Sequence, residues 1–507
     1  MSAARLAKAG IRIPKRIERG PTDILKALAS TVKYVPTAPD PYLQDDPYLL
    51  PSRAGQKNQF YFAKASGRNT ARFLLNRHPE IFFRDQSEPK VLAFLPDEEF
   101  KDDMNLTEED LVWCLDNNDV SNAVIAYHSL IKKEVKLNDE NFLRFFEMLC
   151  FTNEKKTLGP IEAELVSLNM NDRDLVDMSW NDKGLANKLF SEFKEDLDPQ
   201  RMYSAMIAGL VKFNQHTTAK QVYDDFKNNH PGQGLYPVAY SSLLDSITIL
   251  YSDQQAYQEA IDDIVGHMEA NSVAPDLKVF NSILKCYRRF RVNREFVQNA
   301  YKLINDMKTL DIEPSLFTYE CLIYIISRDR GSPNKLEVIE GLLDYINNAN
   351  ILEAKEPRDM NIFKELIHVC LVRENSYNLA KKVHKLYLKK PHFFPHTMSR
   401  QEYLERFFRG VIASDKIENT LEFYDANVPA NFRPSPDAYD ALADALDLYE
   451  VDEETKMRIG QDIINFGLAD RLKNDGIFRK MPAYESALKE HQDRRERLSE
   501  RGPRRGV

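Results

Sequence analysis

The chain has 507 residues, of which 43% are hydrophobic, and 69 Lys and Arg stand against 78 Asp and Glu for a formal net charge of −9. Its mean hydropathy is −0.49, and no run approaches the roughly 18 apolar residues of a membrane-spanning helix. Only 18 glycines are present. Neither G-x-G-x-x-G nor G-x-x-x-x-G-K-[ST] occurs, so a dinucleotide-binding enzyme and a P-loop NTPase are excluded. An acidic total also argues against a uniformly basic coat for nucleic acid, although charge is distributed unevenly along the chain.

Residues 1–19 carry six basic groups (Arg5, Lys8, Arg12, Lys15, Arg16, Arg19) and one acid, Glu18. A helix there places Leu6, Ile13 and Ile17 on one side and arginines on the other, the character of a mitochondrial transit segment over 1–20; the alternative is a disordered basic tail. Five prolines between Pro36 and Pro51 each fix φ and remove a donor, which predicts an extended arm. That arm and an acidic linker, with eight acids between Asp97 and Asp110, are expected to occupy 21–105.

From Leu106 to Glu450 one spacing recurs, an aromatic followed by apolar residues three, four and seven positions later, which is one face of a helix. Phe142 leads Phe145, Phe146 and Leu149, and Tyr203 leads Met206, Ile207 and Leu210. Tyr240, Phe280, Tyr319, Phe363 and Tyr439 lead similar sets. Alanine-led helices lie between them, starting at Ala123, Ala186, Ala219 and Ala300, where a small side chain lets two helix backbones approach. Pro199, Pro237, Pro275 and Pro314 precede the aromatic-led helices, as helix-opening prolines do. The leaders Tyr203, Tyr240, Phe280 and Tyr319 are 37, 40 and 39 residues apart. Helical pairs at a fixed period predict an all-α fold, an α-solenoid over 106–450. An insertion is expected at about 151–180, and a C-terminal helix and basic tail over 451–507.

The units resemble pentatricopeptide repeats, most closely in Pro199 to Lys227, Pro275 to Lys308 and Pro314 to Ser327. The segments Gln44–Leu49, Leu284–Phe290 and Ile312–Leu316 also look like pentatricopeptide proteins of the mitochondrial small ribosomal subunit, with patchy similarity from about Pro21 to Glu450. The resemblance implies degenerate repeats that bind single-stranded RNA. It further implies a role in translation in the mitochondrial matrix, with ribosomal RNA, incoming mRNA and neighbouring small-subunit proteins as partners.

In that family the base-facing residue follows the aromatic of the first helix and acts with the last residue of the repeat. Carried over, this pairs Ser241 with Asp276 and Asn281 with Ser315, and sets Ser204 beside Tyr236. Such hydroxyl and amide groups are able to face a base edge, or they only solvate a helix face. Leu143, Glu320 and Lys364 depart from the pattern. Independently of the resemblance, Lys285, Arg288, Arg289, Arg291 and Arg294 form a run of five cations without an acid, suited to phosphate neutralisation; the bland alternative is a solvated basic helix end.

No enzyme, cofactor, metal site or small-molecule substrate is expected. Cys114, Cys150, Cys286, Cys321 and Cys370 form no C-x-x-C pair and suit buried positions in a reducing compartment. His392 and His396 are separated by Phe393, Phe394 and Pro395, a poor helical ligand pair. The deaminase signature is absent. A helical-repeat protein adaptor and a non-catalytic RNA-processing factor remain as alternatives.

Overall fold

A computed structural model describes residues 20–31, 54–82, 100–155 except 102 and 103, and 179–500 except 290–293, 330–333, 349–351, 392, 395–396, 415, 429–431 and 450. The expected transit segment, the Pro36–Pro51 arm, most of the 151–180 insertion, His392, His396 and the last seven residues lie outside the described residues. Every regular element among the described residues is helical, and none is long and apolar enough to cross a membrane.

Asp23–Thr31 (α1), Ala54–Arg77 (α2) and Pro79–Phe82 (α3) come first. They correct the expectation of an extended 21–105. Between Pro51 and Pro79 no proline interrupts a stretch containing Ala, Lys, Arg and Leu, so helix propensity prevails there. The α1 helix leaves Ile24, Leu25 and Leu28 exposed.

The remaining helices form a series of hairpins. Glu108–Asp116 (α4) pairs with Val120–Lys132 (α5), Asp139–Thr152 (α6) with Leu185–Phe193 (α7), and Pro199–Lys212 (α8) with His216–Asn229 (α9). Pro237–Leu250 (α10) pairs with Gln254–Ala270 (α11), Leu277–Arg289 (α12) with Arg294–Thr309 (α13), and Leu316–Arg328 (α14) with Lys335–Asn348 (α15). A 3-10 turn, Pro357–Asn361, then leads into Ile362–His368 (α16), which pairs with Tyr377–Lys389 (α17). Thr397–Ser414 (α18) pairs with Ile417–Asn427 (α19), and Pro436–Leu448 (α20), Glu453–Asn465 (α21) and Pro482–Glu500 (α22) complete the series. The last of these, α22, carries the helix of the 451–507 segment through Glu500.

Each even-numbered helix from α4 to α20 packs on the next, so the first helices of the hairpins form a continuous row. Their aromatic leaders explain why. Phe142, Tyr203, Tyr240, Phe280, Tyr319, Phe363 and Tyr439 are all buried, and each contributes about 2 kcal/mol of apolar burial. Two of the tyrosine hydroxyls reach across to the second helices. Tyr203 donates to Asp225 at 2.8 Å, and Tyr240 Oη lies 2.9 Å from His267 Nδ1. Ala123, Ala186, Ala219 and Ala300 are buried at the opposing surfaces.

Local boundaries follow simple chemistry. Pro199, Pro237 and Pro436 open α8, α10 and α20. Thr107 and Asp110 form a capping box, so the end of the acidic run starts α4 and does not belong to a linker. With glycine scarce, four of the eight positive-φ residues other than glycine among the described residues are asparagines, Asn118, Asn153, Asn214 and Asn375, a side chain that tolerates this conformation well.

Gly209 marks a close approach of two helix backbones. A Cβ built there would lie 2.5 Å from the Cys150 carbonyl oxygen of α6. Gly209→Ala is expected to cost about 2 kcal/mol, because forced separation of α6 and α8 outweighs the roughly 1 kcal/mol gained in helix propensity. Urea denaturation checks this; an unchanged or raised midpoint contradicts it.

Candidate nucleic-acid interface

The candidate base-facing residues are on the first-helix row, but they are spent within the chain. Ser204 is buried; its hydroxyl donates to the Gln200 carbonyl at 2.5 Å and accepts from the Tyr236 amide at 2.9 Å. The expected neighbours Ser204 and Tyr236 therefore meet, as a tie between successive hairpins. Ser241 is buried and donates to the Val238 carbonyl at 3.0 Å. Its expected partner, Asp276, caps α12 by accepting from the Val279 amide at 2.9 Å.

Asn281 and Ser315 are brought together, at 3.2 Å between Nδ2 and Oγ, and both are buried. A third group closes over them. Asn281 Nδ2 also donates to Glu356 Oε1 at 2.6 Å, and Asn281 Oδ1 accepts from the Thr318 hydroxyl at 2.6 Å. Glu356 comes from the turn before α16, which Asp359 anchors by accepting from the amides of Phe317, Lys355 and Glu356. In this arrangement a base edge has no access to Asn281. Burial raises the Glu356 carboxyl above the usual range, against the pull of Arg358.

The basic run behaves differently from its even appearance in the sequence. Lys285 holds Asp245 at 3.0 Å. Arg288 is a structural cation, bound to Glu320 at 2.5 Å and Glu365 at 3.4 Å, with its guanidinium 4.2 Å from the Tyr324 ring centre. Arg289 is exposed and has no carboxylate partner among the described residues. Arg291 and the side chain of Arg294 lie outside the described residues.

These cations line an open cleft of about 630 Å³ formed by α10, α12, α14 and α16. Lys285, Arg288 and Arg289 stand on one wall; Arg358 and Lys364 join them from the far side. Arg358 bridges back to Asp245 at 2.7 Å, and Lys364 pairs with Glu402 at 2.5 Å. Against five cations the lining holds two carboxyls, Glu320 and Glu365. Burial pushes Glu320 up to about 8 despite Arg288, and its Oε2 has no hydrogen-bond partner. With Asp245 and Glu402 counted beside them, the five cations face four carboxyls, an excess of one positive charge.

Arg358 and Lys364 escape sequence reasoning about the basic run because they arrive from another hairpin. One signal was available: Tyr319 and Phe363 are 44 residues apart, longer than the three intervals between Tyr203 and Tyr319, and the excess is spent on the Lys355–Asn361 turn. The five cysteines are buried and unpaired. Among the described residues, no group of three or more His, Cys, Asp or Glu side chains is placed to hold a metal ion.

Stacked helical hairpins with aromatic-led first helices define an α-solenoid. The particular resemblance is to small ribosomal subunit protein mS39: residues 22–215 match the family described as "Small ribosomal subunit protein mS39, PPR". Curated relatives of that name are 27% identical over 451 residues in Drosophila melanogaster and 28% over 456 in Danio rerio, covering 88% and 86% of this chain. The Mus musculus relative is 28% identical over 463 residues, 86% of this chain. The chain spans about two thirds of these relatives, at 68%, 67% and 65% of their lengths. The resemblance to the mS39 family thus holds over most of the chain.

Among solved structures, the maize pentatricopeptide repeat protein PPR10 aligns at 13% identity and TM-score 0.34, over 87% of this chain and 65% of that one. PPR10 in complex with an 18-nt psaJ RNA element aligns at 14% and 0.32, over 83% and 58%.

Proposed function

We propose that the chain is a non-catalytic, RNA-binding component of the mitochondrial small ribosomal subunit, acting in translation in the matrix. Its partners in this reading are the small-subunit ribosomal RNA, incoming mRNA and adjacent ribosomal proteins. The relatives' printed name supports the ribosomal part. The single observation carrying the RNA part is the cleft on the first-helix row, where five basic side chains from two separated segments gather and Arg289 is exposed without a carboxylate partner among the described residues.

Small-subunit particles sedimented at moderate salt should carry the chain, with RNA recovered from it after crosslinking. Replacing exposed Arg289 and cleft-edge Lys364 with Glu should lower crosslinked RNA at least about tenfold, as reversing two phosphate contacts does, with the helical signal unchanged. Recovery in free fractions alone would sink the ribosomal reading. Sedimentation with the particle but undiminished crosslinking in the variant would favour a protein-binding role for this face.

A further inference from the structure

We propose that the cleft between α12 and α16 is a base-blind clamp for the phosphodiester backbone of single-stranded RNA, and that the Lys355–Asn361 turn makes it so by occupying the position from which Asn281 and Ser315 would otherwise meet a base. The inference rests on the RNA reading above and specifies what the site recognises.

Base discrimination requires free donors and acceptors at a base edge, or an open aromatic face to stack upon. The first requirement fails because Asn281 Nδ2 is committed to Ser315 and Glu356, and Asn281 Oδ1 to Thr318. Ser204 and Ser241 are buried and bonded to their own helices. The second is pre-empted by arginines. Guanidiniums of Arg288 and Arg373 each sit 4.2 Å from the Tyr324 ring centre, and Arg358 lies 5.4 Å from that of Phe317.

Phosphate requires only accessible positive charge, and the cleft supplies it. Arg289 is exposed without a carboxylate partner among the described residues. Asp245 alone serves both Lys285 and Arg358, so that group of three retains a net positive charge. A phosphodiester oxygen replacing Asp245 on Lys285 exchanges one anion for another. Beneath them the buried Glu320 already holds Arg288, keeping that guanidinium as part of the floor.

The test uses the full chain and 12-nucleotide homopolymers of A, U and C, followed by fluorescence polarisation. The three should bind within about twofold of one another. Lys285→Ala with Arg289→Ala should weaken all three alike and reduce the slope of log affinity against log salt by roughly 1.4, the value for two phosphate contacts on a single strand. Circular dichroism checks folding, and Arg289→Ala alone, at an exposed position, should give about half the change in slope. A tenfold preference for one homopolymer that disappears in Asn281→Ala overturns the clamp while leaving RNA binding intact. So does binding that the double substitution leaves unchanged. Failure of all three homopolymers to bind overturns the RNA reading and the clamp with it.

Discussion

Arg288→Ala is expected to lower stability by about 3 kcal/mol, the scale seen when one member of a buried ion pair is removed. The Arg288 side chain is only 18% exposed and Glu320 2%. One Glu320 oxygen binds Arg288 at 2.5 Å and the other has no partner, so truncation leaves the whole carboxyl buried without a bond. The same truncation removes the guanidinium from the Tyr324 face and from Glu365. If desolvation of Glu320 is the cause, Arg288→Met combined with Glu320→Leu should recover most of the loss, since apolar replacement of both partners is close to neutral. Urea denaturation, with amide hydrogen exchange across Leu316–Arg328 as the local readout, measures both variants. Equal loss in the single and double variants would refute this account. The result also bears on RNA work: a charge reversal at Arg288 tests folding, whereas one at Arg289 tests binding.

The second large effect is acid sensitivity at His384. Its ring stacks on Phe407 at 4.0 Å between centroids and 6° between planes, and Nδ1 lies 3.0 Å from the Tyr403 hydroxyl. Burial pulls its pKa from 6.5 down to about 4. A histidine depressed on folding takes up its proton more readily when unfolded, so its stabilising contribution is complete above about pH 6.5 and falls as pH drops toward 4. Between pH 7.5 and 5 this loss is about 2 kcal/mol by linkage. Burial also lowers His216, His267 and His368, and these act in the same direction. His384→Gln, which retains an amide near Tyr403 and does not titrate, should show a correspondingly shallower acid decline in urea midpoints. Parallel declines in parent and variant would exclude His384 as the source.

The first-helix row was legible because its leaders obey a strict spacing and every one is buried. Where the leader is not aromatic, the signal faded. In α18 the set is Leu404, Phe407, Phe408 and Val411, all buried, which repeats the same offsets from a leucine. A search keyed to aromatics therefore passes from Phe363 to Tyr439 and misses a hairpin. The Gly209 contact was invisible for another reason: it depends on backbone from a helix roughly 60 residues earlier, and no periodicity reports distance between backbones. Site residues were legible in type but not in state. The family resemblance paired Asn281 with Ser315, but it carried no sign of Glu356, which reaches Asn281 from 75 residues further on. Likewise five cations in a row look equivalent until Arg288 is seen turned toward Glu320 and Arg289 toward solvent.

In a pile of hairpins each member answers mainly to its neighbours, so mechanical load or thermal fraying at one end should die out within a repeat or two. The Lys355–Asn361 turn breaks that rule. Its Arg358 reaches Asp245, 113 residues earlier, and its Glu356 reaches Asn281, fastening α10, α12, α14 and α16 into one block. The turn is thus a keystone: the hairpins under it yield together or not at all, while those on either side remain at liberty to flex.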